Sequence, residues 1–498
     1  MILSLLLAGA LLRLGIAAEL KAIWCDEWGS VILARYDWAQ LITRAAADIH
    51  PPLYFLSLHF SMRVFGENEW AFRLPSVTAS IAALVFIYLC ARRLTDEQTA
   101  LWTLFLSALS PYLIHLSREI RHHGMPAVFA AAAVHGYFTM LDRPRRFAAY
   151  CFLFSCAALV FTHHYGWFVI AAVGVHFFWG LLNKRPECKK IQWLMLCTAG
   201  LCAPAAALLG FHLSNGEAFT DPLTGPRQLL TLAKQSAVVY WHMICGPKFF
   251  MNYTDLVREY LRSSPIFWAH AVFFITTAVL ATLSLIQLWR KDRRDAVFWT
   301  MLVIAPVLVT ALTNPIRLET RYFAFMAGFL WMLVAGQLTK LGGLLRTAFA
   351  ALAILVAVVG IIFISRLPVD AYHRSDTIAL ARYAAAHAGP EDAVVGDMQD
   401  QFLYYKKTLG LVNQTPYYLN AWDLDRKRAS GIRHIYYLGG FWDEDGASDL
   451  IIEHFRALGF ERDGDQLIFG SEPFASMLNI FSRADGFRSG QTFSVSQS

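Results

Sequence analysis

Long apolar stretches alternate with short polar segments along most of the chain, and this pattern ends near residue 365. A membrane-spanning helix needs about 20 mostly apolar residues. Eleven stretches approach that length and predict eleven spans, at residues 1–20, 74–91, 98–116, 124–141, 147–163, 165–182, 191–213, 265–289, 296–313, 321–339 and 347–365. The pattern predicts a mainly α fold in which residues 1–365 form a polytopic membrane helix bundle.

The remaining residues, 366–498, alternate shorter patterns and predict a separate soluble α/β domain. Helices are expected at 376–388 and 447–458, strands at 393–395, 402–405, 432–438 and 466–469, and a loose end at 486–498.

Two loops between the predicted spans are long enough to hold structure of their own. In the first, residues 21–73, tryptophans and aliphatic residues recur every three or four positions, as in an amphipathic helix lying at the membrane surface. The second, residues 214–264, contains a similar candidate helix at 228–240. Interfacial helices are therefore expected on the face that carries these loops.

Composition agrees with a membrane protein, and the charge distribution adds an orientation. Hydrophobic residues make up 56% of the chain and charged residues only 16%, which excludes a typical soluble enzyme. The net charge of +6 divides into +11 for the first 365 residues and −5 for the rest. Five short loops on one side carry 15 Lys and Arg. The positive-inside rule then places the N-terminus in the cytoplasm and the C-terminal domain outside.

The first apolar stretch has a second interpretation, a cleaved signal peptide, because residues 16–18 resemble a cleavage site. It lacks a basic N-terminal region and is interrupted by Arg13, so a retained span is favoured. Arg13 is the one clear charge inside the predicted spans, which argues against a proton-coupled transporter. The basic loops fit a cytoplasmic membrane face and do not indicate a nucleic-acid partner.

The first candidates for chemistry follow the first span. Asp26 and Glu27 are adjacent carboxylates that could act as a general base or bind a metal. Solvated residues or a helix cap would explain them as well. His50 precedes two prolines and could hydrogen-bond a phosphate, although a structural role is the simpler explanation.

Two later loops combine cations with a carboxylate. One holds Arg118, Glu119 and Arg121, a mixture that suits an anionic substrate. The other holds Arg321, which opens a span from the outer side, where the positive-inside rule gives no reason for a cation. A guanidinium there could bind a phosphate, or it could extend to the lipid headgroups.

In this order, the motifs closely resemble the GT-C superfamily of polytopic glycosyltransferases. The resemblance is to the branch of the protein O-mannosyltransferases, the aminoarabinose transferases and the lipopolysaccharide-core galacturonosyltransferases, and it covers about residues 1–340. It rests on Asp26-Glu27-Trp28, His50-Pro51-Pro52-Leu53-Tyr54, Glu69-Trp70-Ala71-Phe72-Arg73-Leu74-Pro75-Ser76, Ser117-Arg118-Glu119-Ile120-Arg121, Thr162-His163-His164-Tyr165 and Arg321-Tyr322.

The resemblance implies an inverting enzyme of the bacterial inner membrane, with its C-terminal domain in the periplasm. Its partners would be a polyprenyl-phosphate-sugar donor, membrane lipids and a lipid, glycan or protein acceptor. Asp26 would be the general base. Glu27 and Glu119 would be neighbouring acidic residues of the catalytic site that orient the acceptor or bind a metal. The donor phosphate would be held by His50, Arg118, Arg121 and Arg321. Four further residues would either contact the substrate or support the structure of the site: Tyr54, Arg73, His163 and His164.

A cofactor is not fixed by the resemblance. A divalent metal ion is compatible with it, and Asp26, Glu119 and His50 are the candidate ligands. Two other classes of function stay open at this point: a transporter or flippase of lipid-linked saccharides, and a non-catalytic protein of envelope assembly. A flippase would need charge within the membrane and repeat symmetry between halves, and apart from Arg13 the sequence shows neither.

Overall fold

The computed structural model describes residues 1–19, 23–47, 50–215, 226–246, 264–313, 319–366, 377–396, 399–408, 410, 417–418, 424–439, 447–462, 467–469 and 476–483. The loose end expected at 486–498 lies outside these residues. The chain forms two compact units. One comprises Met1–Leu20 and Gly29–Arg366, and the other comprises Lys21–Trp28 and Leu367–Ser498. The short segment Lys21–Trp28 therefore groups with the C-terminal region.

The first unit is helical. Its helices, with α2 beginning in the other unit, are α1 (Ile2–Ala18), α2 (Cys25–Arg35), α3 (Trp38–Ala47), α4 (Leu53–Phe65), α5 (Glu69–Leu94), α6 (Glu97–Leu109), α7 (Pro111–Arg118), α8 (Pro126–Asp142), α9 (Arg146–Thr162), α10 (Gly166–Leu182), α11 (Pro186–Lys190), α12 (Gln192–Asn215), α13 (Pro226–Cys245), α14 (Pro265–Lys291), α15 (Arg293–Val303), α16 (Ala305–Thr313), α17 (Ala324–Leu338) and α18 (Gly343–Arg366). Two 3₁₀ turns, His122–Gly124 and Thr320–Phe323, precede α8 and α17. The predicted mainly α membrane architecture is confirmed.

Among the described residues, six helices are long and apolar enough to cross a membrane, or eight if each of two bent helix pairs counts as one span. Three further predicted spans are apolar helices of 17 residues each, namely α1, α9 and α10. In the predicted first loop the structure has α2, α3 and α4, and in the second it has α13.

Two predicted spans are broken. The stretch expected at 98–116 divides into α6 and α7, which meet at 53°, and the one expected at 296–313 divides into α15 and α16, which meet at 51°. Pro111 and Pro306 stand at the starts of the second helices, and a proline has no N–H for the hydrogen bond to the preceding turn. An apolar pattern alone does not reveal such a break.

The helices pack around α17, which is buried along nearly its whole length, whereas α14 and α18 expose most of theirs. Several helices begin with a side chain that accepts a backbone N–H: Asn68 binds that of Ala71 at 3.0 Å, and Asp96 binds that of Thr99 at 2.9 Å. Such caps satisfy N–H groups that have no partner within the helix.

The second unit contains a six-stranded sheet with helices, which confirms the predicted α/β region. Its elements are α19 (Thr377–His387), β1 (Ala393–Gly396), α20 (Gln399–Thr408), β2 (Tyr417–Tyr418), α21 (Arg426–Ala429), β3 (His434–Gly439), α22 (Ala447–Ala457), β4 (Phe460–Arg462), β5 (Leu467–Phe469) and β6 (Ser476–Arg483). The strand order is β2-β1-β3-β6-β4, and β5 also pairs with β6. Strands β2, β1 and β3 are parallel, and β6 runs antiparallel to β3.

The prediction of a strand at 402–405 is wrong, because these residues lie within α20. Tyr404 and Tyr405 are both buried on that helix, so a short apolar run was mistaken for a strand. A polar pair, in which Asp392 is buried and His434 is partly exposed, ties the sheet to the loop before β1. Burial acts to raise the pKa of Asp392, but hydrogen bonds from His434 and from the N–H of Gly389 outweigh it and hold that pKa below its usual value.

Candidate functional site

Five aromatic rings, four of them histidines, come together within the first unit. We name them the histidine cluster. They come from separate parts of the chain: His50 precedes α4, His122 and His123 form the turn before α8, His163 follows α9, and Tyr322 lies in the turn before α17.

The rings of the histidine cluster are in close contact. The ring centroid of His122 lies 4.2 Å from that of His123, 4.5 Å from that of His50 and 4.9 Å from that of His163. The ring of Tyr322 is 5.4 Å from those of both His123 and His163. Residues distant in sequence thus converge on one point in the bundle.

Two glycines allow the chain to bring the histidines together. A Cβ at Gly124 would lie 3.1 Å from the carbonyl oxygen of Leu116, so the turn that carries His122 and His123 folds closely against α7. A Cβ at Gly166 would lie 2.7 Å from the side chain of Leu159, where the chain turns after His163. Larger residues at either position would displace these turns.

The rings of His122 and His123 are buried and make no hydrogen bonds to the described residues. They are 0% and 1% exposed, and within the described part of the chain no group hydrogen-bonds to any of their four ring nitrogens. A buried donor or acceptor left in this state costs about 1–3 kcal/mol. Packing alone would favour apolar side chains here, so the arrangement is suited to a ligand that engages these nitrogens.

The tautomer of His163 helps to define that ligand. Its Nδ1 accepts a hydrogen bond from the N–H of Tyr165 at 3.0 Å. In a neutral imidazole the other nitrogen then carries the hydrogen. His163 therefore offers an N–H donor at Nε2, which can bind an anion.

A metal fits the same residues less directly. One ligand atom each from His122, His123 and His163 lies within 4.8 Å of the others, and three histidines can bind zinc. His163 would first have to give up its bond with Tyr165, because the Nε2 that carries the hydrogen has no free lone pair. The expected candidates Asp26, Glu119 and His50 are not in this group of three, so no cofactor is established.

Two of the predicted cations adjoin the cluster. Arg121 immediately precedes His122 and donates to the hydroxyl of Ser30 at 3.2 Å. Arg321 immediately precedes Tyr322, is largely buried and pairs with Glu319 at 2.5 Å. Both arginines are close enough to His123 to interact electrostatically with its ring.

Arg118 and Glu119, the other predicted residues of the loop before His122, contact neighbouring protein groups. Arg118 donates to the carbonyl of Ile364 at 3.1 Å and lies 3.9 Å from the carboxylate of Glu19. Glu119 is buried, and its carboxylate lies 3.2 Å from Nε2 of His115. His115 was not among the residues expected from the sequence.

Tyr54, Arg73 and His164, which were expected to contact the substrate or support the site, contact other side chains of the protein. The hydroxyls of Tyr54 and Ser76 lie 3.4 Å apart, and Ser76 donates to the carbonyl of Arg121 at 3.3 Å. Arg73 forms a buried ion pair with Glu69. The Nε2 of His164 lies within hydrogen-bonding distance of Nδ1 of His212, at 2.9 Å.

Asp26 and Glu27 lie in the second unit, in the first turn of α2, where carboxylates are favoured by the helix dipole. Glu27 is buried, and its carboxylate accepts the N–H of Trp24 at 3.2 Å. Asp26 is partly exposed. The two acids thus differ in exposure: Glu27 is buried, whereas Asp26 is partly accessible to solvent.

Two tyrosines of α20 hold the segment that bears these acids. The N–H of Ile23 donates to the hydroxyl oxygen of Tyr405 at 2.6 Å, and the rings of Trp28 and Tyr404 are 5.5 Å apart. Both contacts lie within the second unit, so the C-terminal region fixes the residues on either side of Asp26.

The Tyr405 contact leads to a prediction. The change Tyr405→Phe removes the acceptor of the buried N–H of Ile23, which costs about 1–3 kcal/mol. We expect faster amide exchange in residues 23–28, measured by mass spectrometry. The control Tyr436→Phe removes a hydroxyl that donates to the carbonyl of His387 elsewhere in the same unit, and it should leave that exchange unchanged. Equal exchange in wild-type and Tyr405→Phe protein would contradict the prediction.

Comparisons with known proteins agree with this architecture. Residues 49–208 match the family model described as dolichyl-phosphate-mannose-protein mannosyltransferase. These residues include all four histidines of the cluster. No curated protein sequence matches the chain significantly.

Solved structures match nearly the whole chain. ArnT from Cupriavidus metallidurans in the apo state aligns with a TM-score of 0.53 and 13% identity, covering 97% of this chain and 98% of that one. The same enzyme bound to undecaprenyl phosphate aligns with a TM-score of 0.53 and 14% identity, covering 96% and 97%. The oligosaccharyltransferase of Archaeoglobus fulgidus in the apo form aligns with a TM-score of 0.50 and 12% identity. This alignment covers 91% of this chain and 71% of that one.

At such low identity, the structural matches establish the fold. Together with the family match over residues 49–208, they show that the chain resembles GT-C superfamily glycosyltransferases such as ArnT and the protein mannosyltransferases.

Proposed function

We propose that this protein transfers a sugar from a polyprenyl-phosphate-linked donor to an acceptor on the outer side of the bacterial cytoplasmic membrane. The observation that carries the proposal is the histidine cluster, in which buried ring nitrogens and the adjoining Arg121 and Arg321 are suited to a phosphate. The match to ArnT bound to undecaprenyl phosphate supports a lipid-linked donor.

The chemistry of the donor explains why such a cluster is useful. When the sugar leaves a phosphate carrier, negative charge develops on the phosphate oxygens. Fixed donors in a site of low dielectric stabilise that charge without having to reorganise. Arg321, Arg121 and the N–H of His163 are such donors, and His50, His122 and His123 add further imidazole groups. Arg118 has a similar role in the proposal, at the end of α7.

The acceptor side needs a base. Asp26 is proposed to remove the proton of the acceptor hydroxyl as that oxygen attacks the anomeric carbon, opposite to the departing phosphate. Attack opposite to departure inverts the configuration of that carbon. Glu27 and Glu119 are proposed to orient the acceptor and the base. The partial exposure of Asp26 agrees with its proposed role as the base, because the acceptor must reach the carboxylate.

The orientation is part of the proposal. Lys and Arg are concentrated in the short loops of one side, which supports a cytoplasmic face there and a periplasmic C-terminal region. Lipid-linked sugars would then be used on the outer face.

The direct test is to incubate the purified protein with a panel of polyprenyl-phosphate sugars and candidate acceptors, and to measure release of the free carrier. We expect sugar transfer to an acceptor with release of the carrier from at least one lipid-linked donor, and no sugar transfer from the corresponding nucleotide sugar, which lacks the polyprenyl chain. Translocation of the intact donor across liposomes without carrier release would contradict a transferase and favour a flippase.

A further inference from the structure

Arg13 is a charged side chain buried inside the helical bundle. It lies on α1, is 0% exposed, and donates four hydrogen bonds. Its Nε binds the hydroxyl of Ser80 at 2.8 Å, and Nη1 binds the carbonyls of Gly9 at 3.0 Å and Ala108 at 3.1 Å. Its Nη2 binds the carbonyl of Ser107 at 3.1 Å. All four acceptors are neutral oxygens, so this is not an ion pair.

Two of these oxygens lie at the break between α6 and α7. In a continuous helix the carbonyl of Ser107 would accept the N–H of residue 111. Residue 111 is proline, which has no N–H, and the helix bends there by 53°. Arg13 supplies the donor that the proline lacks, and it also binds the next carbonyl, that of Ala108.

The position is also electrostatically favourable. The last carbonyls of a helix carry partial negative charge, which a guanidinium can stabilise. Within a membrane no water is available to bind these carbonyls, and each one left without a donor costs several kcal/mol. Arg13 therefore makes a sharp bend tolerable at a depth where an open bend would be costly.

Close packing holds the bend from two sides. A Cβ at Gly360 of α18 would lie 2.6 Å from the ring of Pro111. A Cβ at Gly9 of α1 would lie 2.6 Å from the side chain of Leu84 and 3.1 Å from that of Ala108. The two helices thus approach the break with no room for larger side chains.

The bend determines the direction of α7, and α7 connects to both sides of the histidine cluster. Its C-terminal end continues into Glu119 and the turn that begins at His122. Near its start, the hydroxyl of Tyr112 donates to the carbonyl of Thr320 at 2.7 Å, directly before Arg321. A change in direction of α7 would therefore move residues on both sides.

We infer that Arg13 is a positioning residue for the transfer reaction: it fixes the α6–α7 bend and so aligns the histidine cluster with Arg321. Its role in the reaction rests on the proposed function. Its role at the bend rests on the hydrogen bonds alone.

The test compares Arg13→Met, Pro111→Ala and the double variant, with kcat, the KM for the donor and the thermal midpoint Tm measured for each. Arg13→Met should lower Tm and reduce kcat about 10²-fold, because small displacements of reacting groups have effects of that size. Pro111→Ala alone should retain kcat, because Arg13 still binds both carbonyls. Arg13→Lys, which keeps donors and charge, should recover part of kcat. Ser80→Ala, which removes the acceptor on α5 and leaves the bonds to the carbonyls of Ser107 and Ala108, should retain kcat.

The double variant separates positioning from stability. Residue 111 now has an N–H for the carbonyl of Ser107, so Tm should return toward that of the wild type. A straighter helix would direct α7 differently, so kcat should stay low. Recovery of kcat together with Tm would show that Arg13 acts on stability alone, and wild-type kcat in Arg13→Met would overturn the inference. If the wild-type protein releases no carrier from any donor, the proposed function fails, while the coupling of the two Tm effects still tests the bend.

Discussion

Replacing Asp26 by Asn is expected to reduce kcat about 10³-fold, because a general base in position accelerates proton transfer by factors of this order. The amide has nearly the same shape as the carboxylate, so the first turn of α2 should persist. The KM for the donor should change little, since Asp26 acts on the acceptor. Release of free polyprenyl phosphate under saturating donor is the measurement.

A matched control lies eleven residues further along. Asp37 is exposed, and its carboxylate accepts the N–H of Gln40 at 2.9 Å. Asparagine can accept the same bond, so Asp37→Asn should retain wild-type kcat. Wild-type kcat in Asp26→Asn would remove Asp26 as the base and direct attention to Glu119.

The second large effect is expected at Arg321. Changing it to Met removes a fixed guanidinium from beside Tyr322, and we expect a loss of kcat/KM for the donor of about 10²–10³-fold, as when one donor to a developing negative charge is deleted. Arg321→Lys should lose less, since the charge is kept and only the paired geometry is lost. Binding of polyprenyl phosphate alone should weaken in Arg321→Met and stay unchanged in Asp26→Asn.

An exposed arginine that is also paired with a glutamate provides the control. Arg35 bonds to Glu67 at 2.8 Å on the surface, where such a pair contributes about 0–1 kcal/mol. Arg35→Met should therefore retain both kcat and donor affinity. Unchanged donor affinity in Arg321→Met would contradict a phosphate role for this residue.

Hydropathy predicted the helices of the first unit well, because a lipid-facing or buried helix must be apolar over its whole length. It did not predict the breaks after Leu109 and Val303. At those points the apolar run continues, and the change of direction depends on partners from other helices, such as Arg13. In the second unit, the short runs at 402–405 and 417–418 look alike in sequence. The first became helix and the second strand, because tertiary packing decides between them.

The site was predicted in part. The resemblance singled out His50, His163 and Arg321, and the structure brings His50 and His163 together with Tyr322, which follows Arg321. His122 and His123 directly follow the predicted Arg118–Arg121 motif but were not among the expected site residues, since their burial depends on the turn at Gly124 folding against Leu116. The catalytic roles of Asp26, Glu27 and Glu119 stay predictions, and Asp26→Asn tests the first of them.

The three 17-residue helices α1, α9 and α10 have a consequence for the surrounding lipid. Each is about 25 Å long, whereas the hydrocarbon core of a typical bilayer is about 30 Å thick. All three expose large apolar side chains, among them Leu7, Phe154 and Phe178. A hydrophobic mismatch of this size is relieved when the bilayer thins around the short helices. Lipids with shorter acyl chains would therefore match this part of the protein better than long-chain lipids.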